Sequence, residues 1–145
     1  MMRRSCALAL AAGVAALALG GCGTEDPAPE PKAVEKQGTP GLPKGVSVAT
    51  DVPVDVPNNP EVRRNVQLAR CEKTETGWRA AGTARNPGQR ASTYAVTVFF
   101  TTDTATVIGT GAARVDVPAG GKTDWEVAAD FTAPDKTLCV LRGAG

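Results

Sequence analysis

The chain has 145 residues, with 16 Lys and Arg against 15 Asp and Glu, so that its formal net charge is +1. It contains no histidine, which excludes Ser–His and Cys–His nucleophile pairs and removes the commonest metal ligand. A near-neutral chain without a clustered basic excess is also unlike a nucleic-acid-binding protein. We therefore expect no enzymatic activity, no metal, no cofactor and no nucleic-acid partner.

The first 22 residues have the pattern of a secretory signal. Arg3 and Arg4 carry positive charge, and an uncharged apolar run follows over residues 7–19. This run is shorter than the roughly 20 apolar residues that a membrane-spanning helix needs. The run ends in Gly20-Gly21-Cys22, with two small residues directly before a cysteine.

Leu19-Gly20-Gly21-Cys22 resembles the lipobox of bacterial lipoproteins. The resemblance implies diacylglyceryl transfer to the Cys22 sulfur, acyl chains such as palmitate, and cleavage before Cys22. A two-chain lipid anchor is stable in a membrane where a single chain is not. We expect residues 1–21 to be the signal peptide and Cys22 to hold the protein at the extracytoplasmic face of the bacterial cell membrane. The alternatives are an ordinary secretory signal with an incidental cysteine, or an uncleaved apolar anchor.

Residues 22–60 are predicted to be a lipidated cysteine followed by a disordered, proline-rich linker. The segment has no aromatic residue, and such a composition buries too little apolar surface to offset the entropy of ordering. Residues 51–57 alternate like a strand, but prolines cannot donate ladder hydrogen bonds, so we interpret them as extended chain against the domain edge. Eight of the 11 prolines lie in the segment, at positions 27, 29, 31, 40, 43, 53, 57 and 60.

Residues 61–145 are predicted to form a small all-β domain. All six aromatic residues of the chain lie here, and the apolar residues alternate with period two. Six such runs, separated by turn residues, predict an antiparallel immunoglobulin-like β-sandwich. The predicted strands cover residues 66–71, 78–85, 93–100, 106–117, 122–131 and 137–142.

The alternation also predicts which side chains are buried. Tyr94, Val96, Val98 and Phe100 share one face of the third run, and Trp125 shares the apolar face of the fifth. Glycines at 109 and 111 indicate a bulge or a close backbone approach. Trp78 stands beside a turn and is the one tryptophan that we expect to be exposed.

The cysteines predict one disulfide. Cys6 leaves with the signal and Cys22 is used for lipid, which leaves Cys71 and Cys139 in an oxidising compartment. A bridge between them closes a loop of nearly 70 residues, which contributes about 4 kcal/mol in the chain-entropy model. The alternative is two free buried thiols.

Several segments of the domain resemble the FxLYD-type domains of bacterial lipoproteins. Thr101-Thr102-Asp103 stands where that family has Leu-Tyr-Asp. The resemblance implies an immunoglobulin-like sandwich on an anchored surface protein. The segments that carry it are Val66–Cys71, Gly77-Trp78, residues 82–87, residues 94–100 and residues 117–120.

The sequence offers one candidate surface patch, made of Arg79, Arg85, Arg90 and Arg114. Arginines at this density are commonly only solubilising. Asp124, Glu126 and Asp130 share one strand face, which we interpret as solvated and not as a Ca²⁺ site, because no Asp-rich loop accompanies them. We expect a non-catalytic binding module that meets an envelope protein. The alternative is an envelope-maintenance protein that contacts anionic wall polymer through the arginine face.

Overall fold

A computed structural model describes residues 39–145, which contain six strands and one short helix. The six strands confirm the predicted all-β class and the six predicted runs. The predicted signal peptide, Cys22 and the linker up to residue 38 lie outside the described residues. The elements are α1 (Pro60–Arg63), β1 (Val66–Lys73), β2 (Gly77–Arg85), β3 (Ser92–Thr101), β4 (Val107–Val117), β5 (Lys122–Asp130) and β6 (Leu138–Ala144).

The strands form two three-stranded antiparallel sheets packed as a sandwich. Sheet A has the order β1-β2-β5, and sheet B has the order β4-β3-β6. As predicted, Val96, Val98 and Phe100 point from β3 into the core and have no exposed surface. They meet Trp125 of β5, which is buried as predicted, in one apolar cluster. The period-two pattern therefore gives the correct inner face for both sheets.

Trp78 is buried, which contradicts its predicted exposure. Its side chain is 8% exposed and belongs to the core cluster, together with Ala80 on the same face of β2. The turn before it is tight, since the Thr74 N–H donates to the Gly77 carbonyl oxygen at 2.9 Å. The strand consequently begins at Gly77, and its second residue already follows the inward alternation.

The predicted close approach at the β4 glycines is confirmed. A Cβ on Gly109 would lie 2.5 Å from the Phe131 ring, and one on Gly111 would collide with Val127. Val127 belongs to β5, and Phe131 is the residue directly after β5. Glycine at these two positions lets the edge strand of sheet B lie directly against the edge of sheet A.

The predicted disulfide is present. The Cys71 and Cys139 sulfurs are 2.07 Å apart, and the bridge joins β1 of sheet A to β6 of sheet B across 68 positions of sequence. Both cysteines are half-buried and pack against the core cluster. The bridge therefore closes one side of the sandwich covalently.

Helix α1 was not predicted, although its sequence carries a start signal. Asn59 accepts a hydrogen bond from the Glu61 N–H at 2.8 Å, and Pro60 occupies the first turn. This is the arrangement that favours a helix N-terminus. The Arg63 guanidinium donates to the Leu141 carbonyl oxygen at 3.1 Å, which ties the helix to β6.

The predicted linker does not extend to residue 60. Its described part, residues 39–60, belongs to the same unit as the strands, Lys36–Gly145, and makes hydrogen bonds to β4 and β6. Prediction from composition fails here because the ordering comes from contacts with the folded sheet and not from the segment's own sequence. We refer to residues 45–59 as the strap. Within residues 39–145, no helix has the length and apolar character needed to cross a membrane.

Candidate interaction surface

The strap begins where the edges of the two sheets meet. Val46 is only 3% exposed, and a Cβ on Gly45 would lie 3.8 Å from the Thr132 methyl group just after β5. The strap residues that follow share a surface groove with Ile108 of β4 and Phe131. The strap therefore begins with a buried apolar side chain near the end of β5.

The strap then follows the free edge of β4. The Ala49 N–H donates to the Val107 carbonyl oxygen at 2.9 Å, and the Thr110 hydroxyl donates to the Asp51 carbonyl oxygen at 3.3 Å. Both strap groups belong to the main chain. Along β4 the hydrogen bonds therefore use only the backbone of the strap.

At its other end the strap reaches β6. The Asn59 N–H donates to the Ala144 carbonyl oxygen at 2.8 Å. Pro57 lies directly on Gly143, where an added Cβ would be 2.5 Å from the Pro57 carbonyl oxygen. Because β4 and β6 are the two edges of sheet B, the strap crosses the whole outer face of that sheet.

The middle of the strap stands away from the sheet. Val54 is 89% exposed, although it is a large aliphatic residue. A groove of about 550 Å³ lies between this part of the strap and the sheet, and small side chains such as Ala95, Thr97 and Ala112 line it. The strap is therefore fixed at two ends and leaves space beneath its centre.

The outer face of sheet B is more apolar than a solvent-facing sheet surface normally is. Phe99 is 9% and Ile108 3% exposed, yet neither belongs to the main core cluster. The Arg142 guanidinium lies over the Phe99 ring, 5.9 Å from its centroid. Leu138 and Val140, on the same face of β6, are each 44% exposed. This face is therefore an apolar surface that the strap covers only in part.

Charged side chains border the groove. Asp51 and Asp55 of the strap line it on one side, and Arg114 of β4 lines it on the other. All three are exposed, and none takes part in the three ion pairs found within residues 39–145. The groove consequently combines an apolar floor with charges of both signs at its rim.

The four predicted arginines do not form one patch. Arg79 lies on sheet A and pairs with Glu126, with 3.3 Å between nitrogen and oxygen, whereas Arg114 lies on sheet B. Arg85 and Arg90 do lie at one end of the sandwich, on either side of a turn in which Asn86 donates to the Arg90 carbonyl oxygen at 2.7 Å. Arg79 and Arg85 share strand β2, but Arg114 lies on β4 of the other sheet, and the sequence alone does not show which strands share a sheet.

The acidic side chains on the outer face of β5 face solvent or are engaged by neighbouring polar groups. Glu126 is engaged by Arg79, and Asp130 accepts a hydrogen bond from the Thr76 hydroxyl. No group of three or more residues of the metal-ligating types comes together in the described part of the chain. Asp124 and Glu126 are exposed, as expected for the outer face of a sheet.

Comparison with known proteins returned no matching family model, no matching curated protein and no matching solved structure.

Sequence reasoning found only part of this surface: residues 51–57 lie as extended chain against the domain, as interpreted, but the ordering of residues 45–50 and of α1 was missed, although two signals were available. Val48, Val54 and Val56 alternate with polar residues in a way that is typical of an edge segment, and the Asn59-Pro60 pair indicates an ordered helix start. The prolines outweighed both signals. The partly covered face of sheet B, with the strap across it, is the candidate functional site.

Proposed function

We propose that this chain is a lipid-anchored, non-catalytic interaction module of the bacterial cell envelope. Cys22 attaches it to the membrane, and the sandwich presents a contact surface to another envelope protein. The lipobox-like Leu19-Gly20-Gly21-Cys22 supports the anchor. The outer face of sheet B, where the apolar side chains of Leu138 and Val140 are each 44% exposed, is the observation that supports a role in binding, because exposed apolar surface on a rigid domain is used in interactions.

The docked strap brings the domain closer to the membrane than a linker of residues 22–60 would. If the strap stays on the sheet, only residues 22–38 separate the lipid from the folded unit. A chain of that length spans at most about 60 Å when fully extended. The module thus works in the layer next to the membrane surface.

The anchor is tested by replacing Cys22. We expect Cys22→Ser to abolish incorporation of labelled palmitate and to move the protein from the membrane fraction to the medium or to an unprocessed precursor. Cys6→Ser is the matched control, because Cys6 leaves with the signal and its loss should change neither lipidation nor fractionation. A Cys22→Ser protein that stays membrane-bound and normally processed contradicts the anchor.

The binding role is tested by site-specific photocrosslinking in cells. A photoreactive residue at Val140, on the exposed apolar face, should give a discrete adduct of defined mass. The same residue at Glu75, in the turn between β1 and β2, should not. The absence of any adduct at Val140 above that control would argue against this face as the contact surface.

Contact with anionic wall polymer is the alternative, and the arrangement of the arginines gives it less support. Only Arg85 and Arg90 remain together at one end of the domain. An electrostatic contact of exposed charges weakens as salt rises, since the Debye length shortens to about 3 Å at 1 M. Binding to purified wall material that disappears in high salt and in an Arg85→Gln, Arg90→Gln variant would favour this alternative.

A further inference from the structure

The outer face of sheet B already holds a ligand, which is the chain's own strap. Three hydrogen bonds attach the strap, and all three use its main chain: the Ala49 N–H, the Asp51 carbonyl and the Asn59 N–H. Val46 is its one buried side chain. Because these hydrogen bonds use only the backbone of the bound segment, they do not restrict it to a single sequence, and the side-chain contacts that accompany them, such as Val56 against Gly143, are apolar.

The strap also leaves part of the outer face of sheet B uncovered. It leaves the groove of about 550 Å³ open beneath its centre and holds Val54 in solvent. On the same sheet face, nearer the start of β6 than the strap contacts at Gly143 and Ala144, Leu138 and Val140 are each 44% exposed. An extended peptide that placed apolar side chains on these surfaces would bury area that the strap does not.

We propose that the strap is a releasable cover, and that the face beneath it binds an extended, proline-containing peptide segment of a partner protein. This rests on the proposed function as an interaction module and assigns its surface and the class of its partner. The partner segment would take the positions of the strap, donating to the Val107 and Ala144 carbonyl oxygens and crossing Gly143 closely. Proline suits the segment because few of its N–H groups are needed and because its extended conformation is pre-formed.

The strap competes with such a peptide. Its C-terminal end continues directly into α1, so its effective concentration at the face is in the millimolar range or above. The apparent affinity for a partner is reduced by the fraction of molecules in which the strap is bound. Weakening the strap should therefore strengthen binding of a peptide supplied in trans.

The test uses a fluorescent peptide with the sequence of residues 45–59, titrated against the full chain by anisotropy. A strap-weakened chain carrying Val46→Ser and Ala49→Pro loses the buried side chain and the N–H that donates to Val107. We expect it to bind the peptide at least tenfold more tightly than the unaltered chain. The peptide with Ala49→Pro is the matched control and should bind at least fivefold more weakly.

A third variant shows where the peptide binds. Gly143→Val, added to the strap-weakened chain, places a side chain where Pro57 of the strap lies and should abolish binding of the peptide. Equal affinity for the unaltered and strap-weakened chains, no saturable binding to either, or binding that survives Gly143→Val would each overturn the proposal. So would an unaltered chain that dimerises by exchanging straps, because the occupant would then be a second copy.

Hydrogen exchange on the unaltered chain covers the case in which the strap-weakened variant fails to fold. The Ala49 and Asn59 amides should exchange at least 100-fold faster than the slowest amides of β3, since the strap opens while the sandwich stays folded. If they exchange only at the β3 rate, the strap is a fixed part of the fold and the proposal fails. None of these measurements depends on the lipid, so a failed anchor and a failed strap are distinguishable.

Discussion

The sandwich has two open sides, where an edge strand of sheet A meets an edge strand of sheet B, and they are closed by different means. Between β1 and β6 the closure is covalent, through Cys71–Cys139, with α1 attached beside it by the Arg63 hydrogen bond to Leu141. Between β4 and β5 the chain itself connects the sheets at the Pro118–Gly121 turn, and Val46 of the strap is buried at the opposite end.

The disulfide is a permanent connection, whereas the strap can detach in a local equilibrium. A disulfide acts on the unfolded chain by reducing its conformational freedom, so it stabilises the whole domain. The strap is held by a few hydrogen bonds, each worth about 1 kcal/mol net, by the buried Val46 and by the half-buried Val56, which packs against Gly143. We therefore expect β1 and β6 to separate only on global unfolding, whereas the strap opens first, while β4 and β5 stay packed.

Removing the disulfide should have the largest effect. The Cys71→Ala, Cys139→Ala variant loses a cross-link that spans 68 positions, and we expect the free energy of unfolding to fall by about 4 kcal/mol. For a domain of this size the loss lowers Tm by about 15 °C or more. Thermal unfolding followed by circular dichroism measures it. An unchanged Tm would mean that α1 and the sheets hold this side without the bridge.

Adding a side chain between β4 and β5 should have an intermediate effect on stability. Gly111→Val puts a branched side chain against Val127, and we expect a loss of about 1–3 kcal/mol in urea unfolding. Ala112→Val is the matched control, because the neighbouring side chain is exposed on the outer face and should change stability by less than about 0.5 kcal/mol. Equal losses in the two variants would show that β4 is not packed closely against β5.

Truncating the buried side chain of the strap should have the smallest effect. Val46→Ala removes two buried methyl groups, and we expect a loss of about 1–2 kcal/mol. Val54→Ala removes the same two groups from a side chain that is 89% exposed and should be close to neutral. The comparison is made by hydrogen exchange at Ala49, which reports strap opening directly. Faster exchange in both variants alike would contradict the two-ended attachment.

The six strands were predictable because their burial repeats every two residues. Val96, Val98 and Phe100 alternate with residues of the other face, and that pattern needs no knowledge of neighbouring strands. The glycines of β4 could be interpreted in the same way, since a glycine in a strand indicates close approach. Trp78 was assigned wrongly because its position beside a turn was given more weight than its parity with Ala80.

The interaction surface was less predictable, because each of its parts depends on a distant partner. Nothing in the sequence distinguishes Gly143 from other strand residues. Only the structure shows that it contacts Pro57, which lies 86 positions away in the chain. Arg79 and Arg114 have similar surroundings in the sequence but belong to different sheets. Composition alone indicates disorder for a proline-rich segment, and it carries no information about a surface that the segment can cover.

The sequence by itself determined the strand pattern and most of the inner faces of the sheets, because alternation is a local property, and it predicted the Cys71–Cys139 bridge on the premise that Cys6 and Cys22 are used elsewhere. Only the tertiary structure decided the strand order, the separation of the arginines and the seating of residues 45–59 across sheet B. The physical reason is that the unpaired N–H and C=O groups at a sheet edge form hydrogen bonds with any extended chain that reaches them. Which segment binds there is therefore decided by its position in the fold.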